Sequence, residues 1–368
     1  MKIIKIEPTP SPNSMKIVVD HELPFGETYN YTKAESGQAT GEIKALLEIE
    51  GVRGVFRVAD FFAVERNAKF TWEAVLKDVR AVFGEATEDV TKHVSDTFGE
   101  VYVHVQTYKN IPLQVKAFSQ DEEKRVAMPE RFVQAFEATI ADEDDENYIF
   151  LRKWLDYGVR YGDLLQVAQE VAKELDLTMT DDKLTALQQA ALAKQEPLPT
   201  RKMPLDFETF TKASSEERFV MLDTMSDPTV ADLPTLAVAL QDEKMSVRRL
   251  ATVYLGMVED EAVVPHIIKA LHDKSAAVRR TAGDCVSDLG FAAFEPSMMA
   301  ALQDKNKLVR WRAAMFLFET GTEQALPALR AALDDKEFEV KLQVEMAIAR
   351  IEGGEEAQGS VWKQMMER

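Results

Sequence analysis

LQDEKMSVRR from Leu240, LHDKSAAVRR from Leu271, LQDKNKLVRW from Leu302 and LDDKEFEVKL from Leu333 decide the fold of the last third of this chain. They recur every 31 residues. Leu240, Leu271, Leu302 and Leu333 form one column, and Val247, Val278, Val309 and Val340 another. Upstream, Pro234, Pro265, Pro296 and Pro327 keep the same register. With proline at about 5% of residues, three further prolines in register have odds on the order of one in ten thousand.

Each column has a physical task. Proline opens a first helix, where its missing N–H costs little. The aspartate lies in the following turn and caps the next helix. Val247, Ala251, Leu255 and Val258 then share one face of a second helix, at spacings of three and four. Such a hairpin buries too little to stand alone, so the copies must stack as an α-solenoid. Asp242, Asp273, Asp304 and Asp335 beside Arg248, Arg279 and Arg310 predict a ladder of ion pairs along the stack. Arg249, Arg280, Trp311 and Leu342 lie between the core columns and are expected to face solvent as a partner-binding stripe. For Trp311 a seam between repeats is the other reading.

The pattern L-x-D-x(4)-V-R-x-x-A resembles HEAT repeats of the bilin-lyase-like class over about 210–352, with Ser214 to Met225 as a capping half-repeat. Lyase activity does not follow from that resemblance, because such repeats serve many unrelated proteins.

Residues 1–86 read as an α+β module in the order ββαββα. Lys2–Ile6 and Met15–Asp20 are strand-like, separated by a turn-rich stretch from Pro8 to Ser14. Thr40 opens a helix that stops at Gly51, Val52–Val58 and Phe61–Glu65 are strands, and Thr71 caps a helix that ends at Gly84. TPSPNSMKI from Thr9, ALLEIEGVRGVF from Ala45, DFFAVER from Asp60 and the helix from Trp72 resemble the N-terminal domain of the Nfu/NifU-like iron–sulfur scaffold family. That family holds its cluster on a CxxC motif in a separate domain, and this chain has no CxxC. The resemblance implies client recognition without cluster ligation, with Thr9, Asn13, Ser14 and Asp60 as candidate contacts. The module followed by HEAT repeats is similar to the conserved virulence factor C family of low-GC Gram-positive bacteria, which implies a regulatory or adaptor-like role.

Residues 87–200 form a mixed middle region. Val101, Val103 and Val105 alternate with Tyr102, His104 and Gln106, the signature of a half-buried strand. Asn110-Ile111-Pro112 is expected to start a short helix, and Pro129 to Ala193 to be helical, with an acidic run between two helices. Asp142 to Glu146 reads as a solvated acidic loop, and Gln195 to Pro199 as the linker into the repeats that occupy 201–368.

Composition narrows the function. The 368 residues exceed one ordinary core, and the formal net charge is −19. That field opposes phosphate backbones and anionic lipid, so neither nucleic acid nor membrane is an expected partner. One cysteine, Cys285, supports neither an internal disulfide nor a cluster, and it falls in a core-type column with Tyr254, Phe316 and Ala347. The five histidines show no metal spacing, and no phosphate loop or nucleophile elbow occurs. The expectation is a cytoplasmic, non-enzymatic adaptor that binds one or more proteins and holds no resident cofactor. An accessory role in iron–sulfur assembly, with only transient iron, is the alternative. A tetrapyrrole-like ligand or lyase activity is the third.

Overall fold

The computed structural model describes residues 1–9, 11, 13–24, 26–84, 100–119, 122–140, 151–193, 195 and 202–354. Pro10, Pro12, His93, the acidic run Asp142 to Glu146 and most of the proposed linker lie outside the described residues.

Strands β1 (Ile3–Pro8), β2 (Ser14–Val19) and β3 (Thr28–Thr32) precede helix α1 (Gly41–Glu48), then come β4 (Val52–Val58), β5 (Phe61–Arg66) and α2 (Trp72–Val82). Next are β6 (Glu100–Tyr108), β7 (Ile111–Phe118), β8 (Glu123–Ala127), α3 (Glu130–Ile140), β9 (Arg152–Tyr161), α4 (Leu164–Thr178) and α5 (Asp181–Leu192). The rest is helical: α6 (Phe207–Lys212), α7 (Ser215–Asp223), α8 (Leu233–Ala239), α9 (Met245–Gly256), α10 (Val264–Leu271), α11 (Ala276–Leu289), α12 (Glu295–Ala301), α13 (Lys307–Thr320), α14 (Leu326–Ala331) and α15 (Phe338–Glu352). An α+β start and an all-α HEAT-type end are therefore present. Contacts divide the chain into two units, Met1–Phe98 with Val286–Arg368, and Gly99–Cys285.

The first unit holds a five-stranded antiparallel sheet in the order β1-β2-β5-β4-β3. The module is thus βββαββα, one strand more than expected. The extra strand, Thr28-Tyr29-Asn30-Tyr31-Thr32, is an almost wholly exposed edge, so it carries no apolar alternation to read. β5 is central, and every second residue of it is buried. Its Phe62 and Val64 meet Leu46 and Leu47 of α1 and Trp72, Val75 and Val79 of α2 in one core. Thr71 starts α2 by accepting a hydrogen bond from the Ala74 N–H, and Gly84 follows its end at φ +81°. In the same unit, Phe316, Leu329, Val340, Val344 and Ala347 form the buried side of the last repeats.

The second unit holds a four-stranded antiparallel sheet in the order β8-β7-β6-β9. Val101, Val103, Val105 and Val115 face α3, α4 and α5, against Phe132, Ala168 and Val171. The short helix expected at Asn110-Ile111-Pro112 is instead the start of strand β7. Lys109 and Asn110 have φ of +46° and +68°, the two-residue turn that matches a right-twisted hairpin. The span from Pro129 to Ala193, expected to hold only helices about an acidic loop, contains β9. Its Trp, Leu, Tyr and Val suit a pleated surface, and Gly158 at φ +79° cannot sit in a helix.

The repeats follow their columns. Pro234, Pro265, Pro296 and Pro327 occupy the first turns of α8, α10, α12 and α14. Asp242, Asp273, Asp304 and Asp335 each accept the N–H two residues on. Tyr254, Cys285, Phe316 and Ala347 are all buried. A Cβ on Gly256 would collide with the Cys285 thiol, so glycine permits this close helix approach.

Candidate interaction surfaces

Within the second unit the aspartate–arginine columns pair between repeats. Arg248 donates Nε and Nη2 to the Asp273 carboxylate at 2.7 and 3.1 Å. Arg218 of the capping half-repeat reaches Asp242 at 2.9 Å. In the first unit, Arg310 grips Asp335 at 2.6 and 3.0 Å. Arg279 spends its Nη1 on the carbonyls of Asp273 and Lys274. Each of these arginines also ties down its own turn, as Arg248 does through the Asp242 and Glu243 carbonyls.

The expected solvent stripe is not exposed. Arg249 lies 3.8 Å from Glu174 of α4, and Arg160 of β9 lies 3.3 Å from the same carboxylate. Burial, and then the neighbouring Arg160 charge, push the Arg249 pKa down to about 10. Arg280 stacks on Tyr161 of β9 and has Asp284 at 3.7 Å. Trp311 is only 3% exposed. Leu342, with Phe338, packs against the core of the N-terminal module. Three of the four positions therefore meet a mixed layer of the same chain, and Trp311 is interior. A repeat period shows which column lies outside the hairpin core, but it does not show what covers that column.

The N-terminal candidates are split in the same way. Thr9 Oγ1 sits 3.1 and 3.0 Å from the Ser11 and Ser14 carbonyls, closing its own loop. Asn13 is 6% exposed, and its Oδ1 accepts from Arg66 Nε at 3.3 Å. Arg66, fully buried, also donates to the Phe70 carbonyl at 2.9 Å and pairs with Glu339 of α15 at 2.7 Å. Ser14 is half-buried and opposite Glu65. Asp60 lies in the β4–β5 turn at the other end of β2, where its carbonyl accepts from the Val19 N–H at 2.8 Å. Asn13 is thus a structural residue, and the four do not form one patch.

The sequence reading missed a surface on the middle sheet. Tyr102, His104 and Gln106 of β6 point away from the helices, opposite Phe118, Lys116 and Gln114 of β7. Trp154 of β9 pairs with Gln106, and Arg125 of β8 pairs with Lys116. The Lys116 ammonium sits 4.7 Å from the Phe118 ring centre and 4.6 Å from that of Trp154. Arg125 lies 5.6 Å from Trp154, and His104 meets Phe118 edge-on at 4.8 Å. All six rings and cations remain partly accessible. The alternation from Val101 to Gln106 marked this face, but its partner strand was read as helix.

Among the described residues no three His, Cys, Asp or Glu gather as a metal site, and no helix is long and apolar enough to cross a membrane.

Three family models match the chain: "Scaffold protein Nfu/NifU N terminal" over residues 4–90, "Virulence factor" over 106–187 and "HEAT repeats" over 264–349. Conserved virulence factor C of Staphylococcus aureus strain USA300 is 50% identical over 376 residues, covering 100% of each chain. Its counterpart in Staphylococcus saprophyticus is 44% identical, covering 100% of this chain and 99% of its own. The Bacillus subtilis protein YpgR is 52% identical, covering 100% and 98%. Among solved structures, the crystal structure of protein SAV1430 from S. aureus is 38% identical with a TM-score of 0.21, covering 23% of this chain and 99% of that one. Human deoxyhypusine hydroxylase in complex with glycerol is 22% identical with a TM-score of 0.31, covering 50% and 63%.

Proposed function

Because the chain belongs to the conserved virulence factor C family, matching its members over full length, we propose that it is a protein-binding adaptor whose partner surface is the free face of the middle sheet. The observation that carries this reading is the half-exposed layer of Tyr102, His104, Lys116, Phe118, Arg125 and Trp154. Aromatic and arginine side chains concentrate binding energy at interfaces, because they offer large area with few rotors to freeze. Lys116, stacked on two rings, keeps an open side for a carboxylate, while Arg125 also holds Glu123 at 2.8 Å. The partner is therefore a protein segment that presents acidic and apolar side chains. The reading requires neither catalysis nor a resident cofactor, and a cytoplasmic setting suits it. A regulatory part in virulence, as the names of the staphylococcal relatives suggest, is a role such an adaptor can fill.

A photo-crosslinking residue placed at Trp154 in the full chain tests this in cells. The expected result is one discrete protein adduct that disappears when Lys116→Glu and Arg125→Glu are added. Adducts no different from those formed at Tyr29, on the edge of the other sheet, would overturn it.

A second reading, an accessory role in iron–sulfur assembly, draws on the match at residues 4–90. Anaerobic reconstitution with iron and sulfide, followed by visible absorbance, separates the two.

A further inference from the structure

The repeat array begins at α6 and α7, and among the described residues the helices just ahead of it are α4 and α5. α7 packs on α9 and α4. Val220 and Met221 of α7, and Ala213 at the end of α6, are only half-buried. Together with Leu177 at the end of α4, these residues floor a groove of about 840 Å³. A smaller cleft of about 160 Å³ shares Leu177 and Glu216 with it. A helix laid on these residues would bury them as one repeat buries the next.

The rim is mostly acidic. Asp206, Glu208, Glu216 and Glu217 line it against the single cation Lys212, which lies 3.5 Å from Glu208. The Thr209 hydroxyl and N–H hold Asp206 below the usual carboxylate range, and the Ser214 N–H and hydroxyl do the same for Glu217. For Glu216 its own N–H leads and Lys244 follows. Asp206, Glu216 and Glu217 therefore hold their charge at neutral pH, with Lys244 lying 3.2 Å from Glu216.

We infer that this groove docks an amphipathic helix with a lysine- and arginine-rich polar face, supplied by a partner protein. The apolar stripe of that helix would lie on Ala213, Val220 and Met221. Its cations would compete with Lys212 and Lys244 for Glu208 and Glu216 and would meet Asp206 and Glu217 beside them. Helix-in-groove recognition uses this combination of a hydrophobic floor and charged margins. The inference is independent of the sheet face and stands or falls separately.

The test uses the full chain and a fluorescein-labelled helix built of leucine and lysine, with a leucine–glutamate helix as control, read by anisotropy. The wild type is expected to bind the lysine helix and not the glutamate helix. Met221→Glu is decisive because it adds negative charge while spoiling the floor. It should weaken binding by about tenfold, whereas simple charge attraction would leave binding equal or stronger. Glu208→Lys with Glu216→Lys should also weaken it about tenfold. Glu259→Lys with Glu261→Lys, at exposed sites elsewhere, should change it less than about twofold. A photo-crosslinker at Thr180 should capture the lysine helix, and one at Glu261 should not. Undiminished binding by Met221→Glu, equal loss in the Glu259/Glu261 variant, or equal capture at both crosslinker sites would overturn the inference.

Discussion

Arg66 shows how one side chain sets the meaning of its neighbours. It is fully buried and joins Asn13, the Phe70 carbonyl and Glu339, with its guanidinium 5.2 Å from the Trp72 ring centre. Moving two charges out of water costs several kcal/mol each, and only close mutual contact offsets this. Arg66→Leu strands the Glu339 carboxylate. It should destabilise the first unit by about 3–5 kcal/mol, read as lost amide-exchange protection in β5 and α2. Arg66→Met combined with Glu339→Leu should recover most of that loss, because neither charge is then buried alone. If the single and double variants lose equal protection, the ion pair is not what holds this site. Little of this was legible in the sequence. Arg66 closes the stretch DFFAVER like any charged strand end, and its partner lies on α15, far along the chain. Asn13 was singled out as an exposed contact for the same reason, since a turn-rich loop gives no sign of the arginine beneath it.

The repeat hairpin was the most legible element, because its columns encode local tasks. Proline position, turn aspartate and apolar spacing each act within about 31 residues, so one period exposes them all. Strands β3, β7 and β9 were less legible. β3 lacks a buried face, β7 begins behind a left-handed Lys109–Asn110 turn, and β9 owes its form to pairing with β6. The turn aspartate also carries a pH dependence. Burial raises the Asp242 pKa, but hydrogen bonds from Ser215 and the Lys244 N–H, and then Arg218, outweigh it and hold the group below its ordinary value. A carboxyl depressed in the folded state contributes stability above its unfolded pKa and loses it as pH falls through the folded value. Asp242→Asn should therefore cost about 1.5–3 kcal/mol at neutral pH, the range for a charge-assisted hydrogen bond. The gap from wild type should stay constant down to about pH 4 and then close. Urea midpoints across that range check the prediction, and a gap that widens in acid would refute it.

At the scale of the molecule, the repeats act first as mounts for the chain's own layers. Leu342 and Phe338 of α15 extend the core formed by Leu46, Phe62 and Trp72, while Arg249 and Arg280 are taken up by α4 and β9. A linear reading of beads on a string treats the N-terminal module as self-sufficient. The contacts instead make its stability depend on residues near the other terminus. The chain's charge of −19 bears on its surfaces in a similar collective way. It draws cationic segments toward the chain but is screened beyond about 10 Å at moderate salt, so the apolar floor under Met221 must supply the selectivity. The dependence between termini gives the sharpest test. Leu342→Asp places a carboxylate against the module core without touching the module's sequence. Burying an unpaired charge there costs several kcal/mol unless the contact opens. Amide exchange should then speed up in α2 and β5 as well as in α15, and the sheet of the second unit, β6 to β9, should keep its protection. Loosening confined to α15 would mean that the module stands without its mount.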